Sequence, residues 1–162
     1  MIIYVKNKDT LIIDEFRLKC CVGKNGLNSN KKEGDLKTPK GLFALKKLYF
    51  RKDRTGLVKC RLNKKIIKKN MAWCDDPMHK KYNEEICISK KNNKENFYRK
   101  DNKYDYLITI SHNHQKVPYK GSAIFLHLTK NYKPTAGCIA LKKKDFEILI
   151  QLIDQKTKIK IG

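Results

Sequence analysis

The stretch Gly121-Ser122-Ala123-Ile124-Phe125-Leu126-His127 and, after a short loop, Thr135-Ala136-Gly137-Cys138-Ile139-Ala140-Leu141 decides how this 162-residue chain is read. The apolar run ending in His127 predicts a buried strand, and Cys138 to Leu141 predicts a short strand beyond a glycine turn. Two neighbouring strands joined by the loop from Lys130 to Pro134 would bring the imidazole beside the sulfur. A thiol is a strong nucleophile only as thiolate, so it needs a base or cation nearby. An ion pair with His127 would keep Cys138 reactive below the ordinary thiol pKa. Gly137 permits a bend that no side chain blocks, exposing the N–H groups of Gly137 and Cys138 as a candidate oxyanion hole for acyl transfer. A Gly-Cys pair alone reads as a structural cysteine beside a turn; the rest of the chain favours catalysis.

Working outward, strand patterns dominate. Ile2 to Val5 and Leu11 to Ile13 flank an Asn-Lys-Asp turn and predict an opening hairpin. Phe16 to Val22 predicts the next strand, Gly23 to Asp35 a polar loop, and Gly41 to Leu45 a strand after Thr38-Pro39. Tyr106 to Ser111 and Ala123 to Leu128 are the most apolar segments and are expected at the centre. Asp145 to Ile153 predicts a short helix, with Phe146, Leu149, Ile150 and Ile153 on one face. Lys158 to Ile161 alternates as a closing strand. Between Arg61 and Asp101 the pattern is irregular. Lys64 to Asn70 and Lys90 to Lys100 read as surface loops or short helices, with Trp73, Tyr82, Phe97 and Tyr98 as anchors. No internal repeat is present, and residues 1–162 read as one mainly β domain with a minor helical part.

The formal charge of +22 raises the question of a polyanionic partner. The lysines are spread along the chain among Asn and Ile, whereas base-reading surfaces favour Arg clusters with interleaved aromatics. Specific nucleic-acid binding is therefore not expected, while non-specific attraction to anionic polymers is. Six cysteines carry no disulfide framework, since adjacent Cys20 and Cys21 would face opposite ways on a strand. No CxxC pair occurs, and His79, His112, His114 and His127 fall outside zinc spacings, so neither metal nor cofactor is expected. The N-terminus reads as a strand without the pattern of a signal peptide, and no run reaches the length of a membrane span.

Four blocks, in order, resemble the L,D-transpeptidase catalytic domain family (YkuD-like). They are Val22-Gly23-Lys24-Asn25-Gly26 with Lys32 to Asp35 and Lys37 to Phe43; Ala72-Trp73-Cys74-Asp75-Asp76-Pro77 with Tyr82-Asn83; Tyr98-Arg99-Lys100-Asp101 with Tyr104-Asp105; and the opening stretch. The resemblance implies a β-sandwich with a short C-terminal helix and a cysteine acyltransferase acting on peptidoglycan stem peptides in the cell envelope. It implies attack on the carbonyl at the L-centre of meso-diaminopimelate or an equivalent third residue, with loss of terminal D-alanine. Cys138 is then the nucleophile, His127 its base, and the Gly137 and Cys138 N–H groups the oxyanion donors. An amine acceptor would make a cross-link; water would make a carboxypeptidase. A basic binding module without chemistry is the reading from another class.

Two departures stand out. Many members carry Ser-His-Gly-Cys with an arginine two residues on, where this chain has Thr135-Ala136-Gly137-Cys138 and Ala140; the loop between His127 and Cys138 is also short. With no arginine at 140, Arg99 is the first candidate to hold a substrate carboxylate, or else a surface ion pair with Asp101. Trp73 and Asp75, with Asp76 and Pro77, read as a cleft wall or a structural corner, and Thr135 completes the candidate substrate-binding positions. Gly23, Gly26 and Gly34 read as turn glycines, and His112 and His114 as loop residues. Strict alternation turns Ser122 away from the His127 face unless a bulge intervenes.

Overall fold

The computed structural model describes residues 1–88 and 95–162. The first half of the chain gives β1 (Ile2–Lys6), β2 (Thr10–Ile13), β3 (Phe16–Cys21), β4 (Leu27–Asn28), β5 (Thr38–Pro39), β6 (Gly41–Phe50) and the one-turn helix α1 (Lys52–Thr55). There follow β7 (Asn63–Ile66), β8 (Met71–Trp73), β9 (Glu85–Cys87), β10 (Glu95–Asn96) and β11 (Tyr106–Ile110). The chain closes with β12 (Phe125–Leu128), β13 (Ile139–Leu141), α2 (Lys143–Leu152) and β14 (Lys158–Ile161).

The opening hairpin forms as its alternation requires. Ile3, Val5, Leu11 and Ile13 are buried, and Asn7 and Lys8 take φ of 53° and 67°, the mirror-image turn that suits strand twist. Pairing then continues β3–β2–β1–β14–β6 through one layer and β6–β11–β12–β13–β3 through the other. Two strands belong to both layers. In β6, Gly41 to Ala44 pair with β14 and Leu45 to Phe50 with β11; in β3, Cys20 and Cys21 turn to β13. The result is a sandwich joined at both rims, whose main core holds Leu11, Leu48, Ile108, Leu126, Ile139 and Ile159. Helix α2 buries Phe146, Leu149 and Ile150 against this core, and the Phe146 ring stacks on Tyr106 at 5.6 Å between centroids.

The expected central segments are central: all residues of β11 and β12 are buried. The region from Arg61 to Asp101 departs from the expectation of loops or short helices. Asn63–Ile66 extends as a parallel edge strand on β6, with all four residues exposed, because it borrows hydrogen bonds from a sheet edge and has no periodicity to announce it. Its lysines also blunt that edge against further pairing. Strands β10, β8 and β9 form a small antiparallel sheet, each too short for a readable pattern. Tyr82 and Phe97 are buried as the anchors expected of them. Residues 89–94, part of the Lys90 to Lys100 stretch, lie outside the described residues.

Candidate active site

Strands β12 and β13 are parallel neighbours, with His127 opposite Ala140 and Leu126 opposite Ile139. Side chains alternate in a strand, so this register sorts them by face. Leu126, Leu128, Ile139 and Leu141 enter the main core, while Phe125 and Cys138 enter a second cluster with Tyr49, Met71, Phe97 and Tyr104. Cys138 and His127 thus share a face as diagonal neighbours. That face forms part of the wall of a cavity of about 950 Å³, lined by both residues. His127 is the only histidine lining it among the described residues.

The sulfur is held by backbone. Its S–H donates to the Ala123 carbonyl at 3.2 Å, and the Phe125 N–H donates to sulfur at 3.4 Å. Ala123 makes this possible by taking φ of 53°, a left-handed conformation uncommon outside glycine. The Asn83 side chain supports it by accepting the Ala123 N–H at 3.2 Å. The same kink breaks the alternation, so Ser122 lines the cavity after all. Strain of this kind is typically found beside functional groups.

His127 is buried and edge-on to Tyr104, 5.3 Å between ring centroids. Its Nδ1 lies 2.9 Å from the Leu128 carbonyl, which can only accept, so the proton resides on Nδ1 and Nε2 keeps its lone pair. Burial lowers the imidazole pKa to about 4 and raises the Cys138 thiol to about 12. The thiolate–imidazolium pair considered from sequence is therefore absent from this state. Neither group has the solvent that would stabilise its charge, and each gives its proton to a backbone carbonyl.

The turn before Cys138 is pinned from both sides. Thr38, fully buried, accepts the Gly23 N–H and donates to the Gly137 carbonyl, both at 2.8 Å. Because C=O and N–H of a trans peptide point oppositely, this aims the Cys138 N–H away from Thr38. Gly137 itself has φ of 148°, and a Cβ there would meet the Lys37 carbonyl at 3.0 Å, so the turn requires glycine. Of the two oxyanion donors considered from sequence, the Gly137 N–H is already engaged by Thr135 Oγ1 at 3.1 Å. Thr135 Oγ1 in turn donates to the Cys138 carbonyl at 2.6 Å.

Among the candidate substrate-binding positions, Asp75, Arg99 and Thr135 line the cavity and Trp73 does not. Trp73 packs edge-on against Phe125, 5.3 Å between centroids, and donates to Asn83 at 2.9 Å, which makes it a support behind the cysteine face. Arg99 is paired with Asp101 at 2.8 Å and lies 5.1 Å from the Tyr104 ring centroid. His112 bonds the Lys120 carbonyl and lies outside this cavity.

The family model described as the L,D-transpeptidase catalytic domain (YkuD) matches residues 1–161. The chain belongs to the L,D-transpeptidase catalytic domain family. No curated protein matches it. Among solved structures, the helical cell shape determining protein Pgp2 from Campylobacter jejuni is similar at TM-score 0.54 and 19% identity over 99% of this chain and 46% of that one. Bd1075 from Bdellovibrio bacteriovorus aligns at TM-score 0.48 and 16% identity, over 99% of this chain and 47% of that one. The chain thus spans less than half the length of the structures it matches. The mainly β architecture is that of an L,D-transpeptidase-like sandwich with a short C-terminal helix.

Two residues that border the candidate site in this family member escaped sequence reasoning. Tyr104 donates to Glu95 at 2.7 Å and walls the site beside His127. Lys31 lines the cavity with a nearly buried side chain, tied to Asp35 at 2.5 Å and to the Lys32 carbonyl at 2.6 Å. Its positive charge opposes the rise of the Cys138 pKa. A single lysine among 38 basic residues carries no signal in sequence. Tyr104 lay inside the recognised blocks, and only the fold sets it beside His127.

Proposed function

We propose that this domain is a cysteine acyltransferase of peptidoglycan stem peptides, an L,D-transpeptidase with Cys138 as nucleophile and His127 as base. The observation that carries the reading is the shared face of β12 and β13, which sets a thiol and an imidazole with a free Nε2 lone pair side by side in the wall of one cavity. Family membership supports the substrate class and the cell envelope as its place of action. Among the described residues no helix is long and apolar enough to cross a membrane. The formal charge of +22 supports non-specific attraction to anionic polymers there.

The resting pair is neutral, so proton transfer accompanies attack. The Cys138 S–H leaves the Ala123 carbonyl and passes its proton to His127 Nε2 while sulfur bonds the scissile carbonyl carbon. Negative charge on the carbonyl oxygen is met by the Cys138 N–H, and by the Gly137 N–H once Thr135 releases it. The C–N bond then breaks, the leaving amine takes the proton from His127, and an acyl thioester remains on Cys138. A cavity of about 950 Å³ has room for an amine acceptor beside the donor, as cross-linking requires. Attack by water in its place would release a trimmed stem.

The test is intact-protein mass spectrometry with a carbapenem and with a stem tetrapeptide. The expected result is one adduct, located at Cys138. Iodoacetamide is a poorer probe, since Cys87 is exposed and Cys138 is buried with its pKa raised. A protein that carries no adduct at Cys138, and whose C138A variant processes stem peptides unchanged, would refute the assignment. Product analysis with an added amine separates cross-linked from trimmed stems.

A further inference from the structure

The layer that does not contain the cysteine has strands without acidic side chains. In a chain with 16 Asp and Glu, none falls in β1, β2, β3, β6 or β14, although these strands include Lys6, Arg17, Lys19, Lys158 and Lys160. Asp9, Asp14 and Glu15 sit in the turns that join β1 to β2 and β2 to β3. None of those five cations belongs to an ion pair among the described residues.

The register shows what stands between the charges. Alternation sends Ile3, Val5, Leu11, Ile13, Ile159 and Ile161 into the main core, so their strand neighbours point outward. Across the five strands one outward row reads Leu42, Lys160, Tyr4, Ile12, Arg17, a span of about 19 Å at the usual strand spacing. Beside it run Ala44, Lys158, Ile2 on one side and Lys6, Thr10, Lys19 on the other. Ile2, Tyr4 and Leu42 are 40%, 41% and 50% exposed. A solvated sheet face ordinarily presents polar residues, so three large apolar side chains set among unpaired cations require a partner.

The mixture selects the partner. Protein interfaces deplete lysine at their centres, whereas here Lys158 and Lys160 stand between Ile2, Tyr4 and Leu42. An anionic wall polymer meets the charge but leaves the apolar side chains in water. A bilayer surface with anionic headgroups meets both. Ammonium groups reach the phosphates while their stems lie along the lipid boundary, and tyrosine and leucine side chains enter it.

We propose that the outer face of β3–β2–β1–β14–β6 is a docking surface for an anionic lipid bilayer. The Cys138–His127 face lies on the outer side of the other layer, so a docked domain presents its cavity away from the lipid. The proposal is independent of the reaction that Cys138 performs.

The experiment is co-sedimentation with vesicles of phosphatidylglycerol and phosphatidylethanolamine, with phosphatidylcholine vesicles as reference. It is run at about 0.15 M salt, where the general attraction of a +22 chain is screened beyond about 8 Å. The expected result is binding to the anionic vesicles that I2S/L42S weakens about tenfold, because two apolar side chains no longer enter the lipid. K158E/K160E should weaken it about tenfold or more, whereas K68E/K69E, the same change of charge beyond β7, should alter it within about threefold. Melting temperatures taken alongside ensure that folded proteins are compared. Absence of binding, binding that I2S/L42S leaves unchanged, or an equal loss in K68E/K69E would overturn the docking surface. A concentration-dependent dimer in sedimentation velocity that I2S/L42S abolishes would assign the face to a second copy of the chain and overturn it as well.

Discussion

The two faces of β12 and β13 differ in what they ask of a side chain. On one face Leu126, Leu128, Ile139 and Leu141 fill the main core, where volume and apolarity suffice. On the other, His127, Cys138 and Ala140 border a cavity, where each atom's hydrogen bonds matter, and Phe125 packs into the second cluster behind them. The same backbone serves both, and the parallel register that buries one set aligns the other. The comparison teaches that the proposed site is a by-product of a well-packed pair of strands, shaped by two local departures, the left-handed Ala123 and the turn at Gly137.

Breaking each face should therefore give opposite results. Cys138→Ala is expected to lower stem-peptide turnover at least about a thousandfold, with a melting temperature close to that of the unaltered protein. Leu126→Ala, one strand position from Phe125, should destabilise by roughly 3 kcal/mol in denaturant titration, because it opens a cavity beside a fully buried position. Its surviving folded fraction should retain turnover. If C138A unfolds the protein as readily as L126A, or L126A abolishes turnover while fully folded, the division between faces is wrong.

Much of this division was legible beforehand. The apolar run ending in His127 and the Gly-Cys turn announced two strands and a thiol–imidazole face. The opening hairpin, the helix stripe through Phe146 and Leu149, and the alternation of Lys158 to Ile161 carried clear periods. What escaped were features with no local period. β7 exists because β6 offers an edge, and the small sheet because three short segments meet. Ser122 was assigned to the wrong face since a left-handed alanine leaves no trace in composition. Trp73 looked like a cleft wall, and only packing against Phe125 makes it a support. Gly137 was foreseen as a free donor, but its engagement by Thr135 is a tertiary fact.

The pH dependence of stability sharpens the comparison, since one face contains an imidazole and a thiol and the other no titratable group. The His127 pKa is lowered from 6.5 to about 4, so between those values the unfolded chain binds the proton and the folded chain resists it. Stability from this group is present above pH 6.5 and is lost as pH falls through 4. Over that span the loss amounts to roughly 3 kcal/mol. His112, also held down by burial, adds a change of the same sign. Denaturant titrations at pH 7 and pH 4.5 should therefore show a drop that His127→Gln reduces without removing. An H127Q profile as steep as that of the unaltered protein would mean that the imidazole is solvated.

The smallest effect is expected at Arg99, and it bears on the arginine that Ala140 replaces. The Arg99 guanidinium is already paired with Asp101 at 2.8 Å and approaches Glu95 at 3.5 Å, with its side chain about one-third exposed. An ion pair this accessible to solvent contributes at most about 1 kcal/mol, so Arg99→Ala should barely move the unfolding midpoint. Its effect on turnover decides its role. A guanidinium whose charge is met by two carboxylates has little left for a substrate carboxylate, whereas Lys133 and Lys143 line the cavity without an acidic partner among the described residues. The expectation is a KM change within about threefold for R99A and a larger one for the K133A/K143A double variant, kcat being little altered in either. A tenfold rise in KM for R99A alone would restore it as the carboxylate holder and move that role from Lys133 and Lys143 to the arginine beside Tyr104.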